Sequence, residues 1–144
     1  MYYKHKQKST HTRKLNSKLG ILGILGFLGF IGFVPEIYNL KDILPVPVFF
    51  FFFAFFGFFG FYYEGKMSNT FIDERFEANA YRAAAIGNRV ALYIIIIVAI
   101  VSISIFQIKN TYTISSILIA TIGLSFGLSM FLQQYLLYCF ENED

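Results

Sequence analysis

The sequence predicts an all-α membrane protein with four transmembrane helices, arranged as two hairpins that an amphipathic cytoplasmic helix joins. Of the 144 residues, 56% are hydrophobic, and the mean hydropathy is +0.57. A soluble domain of this size cannot bury so much apolar surface, because small folds leave a large share of their surface exposed. The apolar residues form four blocks without Asp, Glu, Lys or Arg, at about 19–34, 46–63, 90–108 and 114–140.

The first block, within "LGILGILGFLGFIGFVP", has a glycine at every third position. Each glycine costs a helix in water about 1 kcal/mol relative to alanine, but hydrocarbon enforces a helix because unpaired backbone groups are far more costly there. Collagen is excluded, since only five triplets occur and they lack proline. At 100° per residue the glycines are expected to wind around the helix without forming one stripe. Two interpretations stay open: a bendable helix, or a close-packing surface for a neighbouring helix.

The first two blocks are expected to pair. At 1.5 Å per residue the first spans about 24 Å, which is short of a hydrocarbon core of about 30 Å. The second, "VPVFFFFFAFFGFFGFYY", lacks the alternating polar positions of a barrel strand, so it is expected to be a helix as well. We expect Gly57 and Gly60 to receive bulky rings from the first helix.

The connector 64–89 contains a predicted amphipathic helix that continues into the third block. Asn69 or Thr70 is expected to cap its start, and an apolar stripe of Ile72, Phe76, Ala80, Ala83 and Gly87 is expected to seat it at the membrane surface. The alternative is a docking surface for a cytoplasmic partner, for which the candidate residues are Phe71, Asp73, Glu74, Arg75 and Phe76.

The fourth block carries a G-x-x-x-G motif with small residues at helical spacing. Ala120, Gly123 and Gly127 are the candidate helix-packing residues, because small side chains let another helix approach closely. Internal packing and a homodimer seam both stay open. Hydroxyl and amide side chains in the third and fourth blocks could line a polar path, but ion and proton pathways usually contain an ionisable group.

The basic residues predict the threading. The tail 1–18 carries six Lys and Arg and the connector 64–89 carries four, whereas the other two connectors carry one each, Lys41 and Lys109. Cytoplasmic loops carry an excess of Lys and Arg, so both termini are expected in the cytoplasm, at the cell (inner) membrane. The acidic end 141–144 does little to oppose this, and no signal-peptide cleavage site follows the first block. Heavy use of residues with AT-rich codons indicates a low-GC bacterium.

The remaining polar features indicate no chemistry. The basic tail 1–18 is expected to be a solvated arm and topology signal, with contact to anionic lipid as an alternative; nucleic-acid binding is not expected. His5 and His11 lack the partners of a metal site, and the lone cysteine, Cys139, permits no internal disulfide. Without a phosphate loop, a metal cluster or a nucleophile elbow, we expect no enzyme activity and no cofactor.

The segments "LGILGILGFLGFIGF", the Phe/Gly-rich second span and "DERF" before the third span together resemble an uncharacterised family of small bacterial multi-pass membrane proteins. The likeness covers about 19–108. It implies a helical membrane protein, supplies no activity and transfers no functional residue.

Three functions remain. The first is a non-enzymatic accessory, regulatory or immunity-type membrane protein that acts by binding a protein partner. The alternative is a small transporter or channel subunit, and an intramembrane enzyme is disfavoured by the missing acid, base and metal ligands.

Overall fold

The computed structural model describes residues 11–34, 46–105 and 108–143. The predicted all-helical architecture with four helices is confirmed. The first helix is Ser17–Phe33, and the second runs as a 3₁₀ helix over Val46–Phe59 and as an α-helix over Gly60–Lys66. The third is Glu74–Ile100 with a π-helical turn at Val101–Ile105, and the fourth is Thr111–Asn142. The residues outside the described ranges include Lys41, His5 and the first three lysines of the tail, Lys4, Lys6 and Lys8.

Three helices are long and apolar enough to cross a membrane, and the first is a shorter apolar helix. Extensive contacts join the first helix to the second, the second to the fourth, and the fourth to the third. The helices therefore form an open row in the order first, second, fourth, third. The first and third helices stand at the two edges of this row.

The first helix is wound as a 3₁₀ helix along its whole length. Such a helix has three residues per turn, so residues three apart lie directly above one another. Gly20, Gly23, Gly26, Gly29 and Gly32 accordingly form one buried stripe. The expectation that the glycines wind around the helix was wrong, because it assumed the α-helical angle of 100° per residue.

Aromatic side chains of the second helix fill this glycine stripe at the same period of three. A Cβ atom added at Gly23 would lie 2.6 Å from Cγ of Phe59, one at Gly26 would lie 2.5 Å from Cδ1 of Phe56, and one at Gly29 would lie 2.5 Å from Cδ1 of Phe53. Gly20 meets Tyr62 and Gly32 meets Phe50 in the same antiparallel register. No residue larger than glycine fits here without displacing a ring.

The second helix presents a different face to the fourth helix. Gly57 lies against Met130 and Gly127, and Gly60 lies against Met130 and Gln134. The pairing of the first two helices was predicted, but the expectation that Gly57 and Gly60 receive rings from the first helix was wrong. The rings belong to the second helix, and they fill the space left beside the glycines of the first helix.

The 3₁₀ winding also changes the length of the first helix. A 3₁₀ helix rises about 2.0 Å per residue, so its 17 residues span about 34 Å. The expectation that this segment is too short for the hydrocarbon core rested on the α-helical rise and does not hold for the observed winding.

The fourth helix is packed on two sides. Gly123 and Gly127 face the second helix, where added Cβ atoms would lie 2.9 Å from the carbonyl oxygen of Phe50 and 2.8 Å from that of Phe53. Ser129 lies on the other side and meets Gly87 of the third helix. Two stripes of small residues therefore let one helix approach two neighbours closely.

Asp73 caps the third helix, and the expectation that Asn69 or Thr70 caps its start was wrong. The Asp73 side chain accepts a hydrogen bond from the backbone N–H of Phe76 at 2.8 Å, whereas Asn69 occupies the left-handed region with φ 62°. The predicted apolar stripe exists, since Phe76, Ala83 and Gly87 are buried. It packs with Met67 and Leu137, so this stripe faces the protein and does not seat the helix on the membrane surface.

A glycine substitution tests the packing of the first two helices. Gly26→Ala is expected to lower the stability of the protein, because overpacking a tight contact typically costs about 1–3 kcal/mol. An unpacked helix would instead gain about 1 kcal/mol from the same change. Thermal unfolding in detergent micelles measures the sign. Ile24→Ala, at an exposed position of the same helix, is the control, Phe56→Val should partly rescue Gly26→Ala, and a higher Tm for Gly26→Ala would contradict the packing.

A distance measurement tests the winding itself. Spin labels at Ile21 and Phe33, both exposed, are twelve residues apart in sequence. Their backbones are separated by about 24 Å in a 3₁₀ helix and by about 18 Å in an α-helix. Pulsed electron paramagnetic resonance on the Cys139→Ser background is expected to give the longer distance, and the shorter one would refute a 3₁₀ helix.

Candidate functional site

One end of the helix row carries an ordered polar surface, which we call the polar end. It is built from the segment 11–16, the turn 67–73, the first turns of the third helix and the last turns of the fourth. These parts meet because successive helices run in opposite directions. The polar end is the candidate functional site, since it contains most of the charged side chains that the structure describes.

The segment 11–16 is docked on the turn and is not a solvated arm. The Thr12 backbone N–H donates to the carbonyl of Thr70 at 2.9 Å, and the Thr12 hydroxyl donates to the carbonyl of Met67 at 2.6 Å. The same hydroxyl accepts from the Thr70 N–H at 2.9 Å. The expectation of a solvated tail was therefore wrong for these residues, while residues 1–10 lie outside the described part of the chain.

An ion pair extends this docking. The Arg13 guanidinium donates two hydrogen bonds to the Glu64 carboxylate, the second of them at 3.0 Å. The pKa of Arg13 is raised above its ordinary value, mainly by the hydrogen bond to Glu64 and secondly by the negative charge of the Glu64 carboxylate. Arg13 is well exposed, so the pair orients the segment more than it stabilises the fold.

The end of the fourth helix is tied to the third helix. Arg75 donates to the backbone carbonyls of Phe140 and Glu143, at 3.4 Å and 3.2 Å. Asn79 donates to the Glu141 carboxylate at 2.7 Å. The cationic side chain of Arg75 suits this position, because carbonyl groups at a helix C-terminus are unpaired and carry partial negative charge.

The five candidate docking residues have different roles in the structure. Phe76 is buried in the core, Asp73 caps the third helix, and Arg75 holds the C-terminal carbonyls. Phe71 and Glu74 are exposed. Asp73 and Arg75 are exposed as well, but their side chains already bond within the chain. Docking by this group stays a prediction.

Tyr81 was missed by the sequence analysis. Its side chain is 77% exposed, and it lies on the third helix seven residues after Glu74, so the two share one face. Its neighbours on that face, Ala78 and Ala85, are small and exposed. The signal in the sequence is an aromatic residue placed opposite the buried Phe76 and Ala83 stripe.

The predicted helix-packing residues lie within the chain's own interfaces. Gly123 and Gly127 face the second helix, and Ala120 lines a cavity of about 300 Å³ with Gly32 and Phe50. This placement accounts for the G-x-x-x-G motif by internal packing, and it leaves no open glycine groove on that face of the fourth helix for a homodimer.

Three hydroxyl side chains within the helices are buried. Thr121, Ser125 and Ser129 are buried on the side of the fourth helix that faces the third. The Thr121 hydroxyl donates to the carbonyl of Ile117 at 2.7 Å, and Ser129 donates to Oδ1 of Asn88 at 2.9 Å. Buried hydroxyls that bond to their own helix or across an interface support helix packing.

No three His, Cys, Asp or Glu side chains in the described part of the chain come together as a metal site. The ring of His11 packs edge-on against Phe71, with ring centroids 5.7 Å apart. Cys139 is a half-buried free thiol.

Comparisons of the chain with protein-family models, with curated proteins and with solved structures gave no match. The resemblance to a family of small bacterial membrane proteins therefore stays a prediction. The length and composition of the helices make the chain a helical, multi-pass membrane protein.

Removal of one hydroxyl tests the docking of the segment 11–16. Thr12→Val keeps the side-chain volume but removes the group that bonds both Met67 and Thr70, so the segment is expected to detach more often. Trypsin cleavage after Arg13 should become several-fold faster at unchanged Tm. Thr113→Val, at the opposite end of the helices, is the control, and an unchanged cleavage rate for Thr12→Val would show that the hydroxyl does not hold the segment.

Proposed function

We propose that the chain is a non-enzymatic protein of the cell (inner) membrane that binds a protein partner at its polar end, as an accessory, regulatory or immunity-type subunit. In this proposal all four helices span the bilayer as two hairpins, with the N and C termini in the cytoplasm. The first turns of the third helix then form the amphipathic cytoplasmic segment.

The distribution of charge supports this orientation. Ten of the twelve Lys and Arg residues belong to the tail 1–18 and the connector 64–89. Contacts of the segment 11–16 with the turn 67–70 bring these two regions to the same end of the helix row. An excess of basic residues at one end favours its retention in the cytoplasm.

The proposal rests on one observation, which is that two aromatic side chains are exposed on an ordered polar surface. Phe71 is 52% exposed and Tyr81 is 77% exposed. Both lie on backbone that hydrogen bonds hold in place, since Phe71 follows the docked Thr70 and Tyr81 lies within the third helix. Aromatic residues on a preorganised surface are typical of the anchors of protein interfaces, because little conformational entropy is lost on binding.

Charge at this surface adds selectivity. Glu74 and Glu77 are exposed in the first turn of the third helix, near Phe71 and on the side that carries Tyr81. A partner with basic residues around an apolar pocket would complement these groups, and such complementarity steers association more than it adds affinity.

The transporter or channel alternative receives less support from the geometry. Thr121, Ser125 and Ser129 are buried. The cavity of about 440 Å³ between the second, third and fourth helices is lined by Phe, Leu, Ile and Gly alone. An apolar lining does not replace the hydration shell of an ion.

The double variant Phe71→Ala/Tyr81→Ala tests partner binding. A membrane-impermeant crosslinker, added to inverted vesicles that expose the cytoplasmic surface, is expected to capture one specific partner with the unchanged chain. The double variant should lose at least tenfold of this product at equal expression and Tm, because truncating anchor residues costs about 1–2 kcal/mol or more each.

Lys109→Ala, at the opposite end of the helices, is the matched control and should leave the product unchanged. Capture that is equal for the double variant would refute docking through these aromatics. Capture only from right-side-out vesicles would refute the orientation. Flux through reconstituted vesicles above the empty-vesicle background would favour the transporter alternative.

A further inference from the structure

An apolar groove lies on the fourth helix between the second and third helices. Its volume is about 440 Å³, within the range of about 300–1,000 Å³ that is common for ligand sites. Phe56 and Phe59 form one wall, Ile94 forms the other, and the floor is made by Leu124, Gly127, Leu128 and Phe131. The groove exists because the four helices form an open row and not a closed bundle.

The floor of the groove continues toward the polar end as an aromatic track. Leu124, Leu128, Phe131, Tyr135 and Tyr138 follow one another at spacings of four and three, so they lie on one face of the fourth helix. The ring of Tyr63 bridges the last three, with centroid distances of 6.0 Å to Phe131, 5.2 Å to Tyr135 and 5.4 Å to Tyr138. Tyrosines are typical of the boundary between hydrocarbon and headgroups.

A cation stands at the end of this track. The Lys66 ammonium lies 5.4 Å from the ring centroid of Tyr138 and 4.7 Å from that of Tyr62. The nearby Glu64 carboxylate is engaged by Arg13, and Lys66 forms no ion pair with any carboxylate among the described residues. Its positive charge is therefore available to an anion at the level of the headgroups.

The distance along the fourth helix between the groove and the polar end matches the dimensions of a phospholipid. Leu124 and Tyr138 are fourteen residues apart, which corresponds to about 21 Å along an α-helix. The apolar part of the groove lies at the deep end of this distance, and the tyrosines and Lys66 lie at the shallow end. An acyl chain and an anionic headgroup are arranged in the same order along the membrane normal.

We propose that this groove is a binding site for an anionic phospholipid of the leaflet on the polar side, with an acyl chain along Leu124–Phe131 and the phosphate beside Lys66. The site differs from the partner-docking surface, which is formed by Phe71, Glu74 and Tyr81. Its occupant is fixed by the charge of Lys66 and by the continuity of the groove with the aromatic track.

Because the chain contains no tryptophan, single tryptophans can report on the lipid beside them. Leu124→Trp places the reporter in the groove. Phe126→Trp is the matched control, since Phe126 is exposed, lies about 3 Å away along the helix axis and points to the other side of the fourth helix. Each variant is reconstituted into phosphatidylcholine vesicles that contain a minor fraction of brominated phosphatidylglycerol or brominated phosphatidylcholine.

Quenching of Leu124→Trp is expected to show about a fivefold preference for phosphatidylglycerol, which is the effect of one basic residue near an anionic headgroup. Phe126→Trp should show no preference. Adding Lys66→Gln to Leu124→Trp should abolish the preference, while Lys18→Gln, another exposed lysine near the polar end, should keep it.

Three results would overturn the proposal. The first is equal quenching of Leu124→Trp by the two lipids. The second is the same phosphatidylglycerol preference at Phe126→Trp, which would indicate only general attraction to the basic protein. The third is protection of Leu124→Trp from both lipids, which would mean that protein fills the groove. The Phe71→Ala/Tyr81→Ala variant should keep the lipid preference, so this test is independent of partner binding.

Discussion

The fold depends on the match between a glycine at every third residue of the first helix and an aromatic ring at every third residue of the second. In a lipid environment the hydrophobic effect does not drive helices together, so close van der Waals packing must do so. Five glycines remove every side chain from one face, and the rings of Phe50, Phe53, Phe56 and Phe59 enter the space. A 3₁₀ helix is normally short because its hydrogen bonds are less favourable than those of an α-helix. Here the packing along the whole interface offsets that cost, because only a period of three aligns all the contacts.

The three-residue period of the second helix lets it pack against both the first and the fourth helix. Residues 50, 53, 56, 59 and 62 are aromatic and face the first helix, whereas Ala54, Gly57 and Gly60 are small and face or border the fourth. The remaining series, 52, 55, 58 and 61, is all phenylalanine, and its rings contact one another at centroid distances of 5.0–5.6 Å. From Gly60 the helix is α-helical, and Tyr62, which meets Gly20, is the one member of the aromatic series in this part.

The sequence contained enough information for the four helices and for several of their faces. Phe76, Ala83 and Gly87 were recognised as one stripe, because α-helical spacing is strongly patterned there. The triplet period of the first two helices was visible as well, but it was interpreted with the geometry of an α-helix. The ring partners were therefore assigned to the wrong helix. The docking of Thr12 on Met67 and Thr70 leaves no local pattern, since it joins residues 55 and 58 positions apart. The cap at Asp73 was one of several polar residues that could have begun the third helix.

The triplet register limits how the first two helices can move against each other. A shift by one or two residues would place a leucine, an isoleucine or a phenylalanine where a glycine now admits a ring. Sterics oppose such sliding, because the larger side chain would overlap the ring that the glycine now admits. A shift by three residues places a glycine opposite an aromatic ring again at all but one of the five positions. At a rise of about 2.0 Å per residue, this shift moves the helix by about 6 Å. The two helices can therefore pack well only in registers that differ by three residues. Any sliding of one helix along the other would occur in steps of about 6 Å.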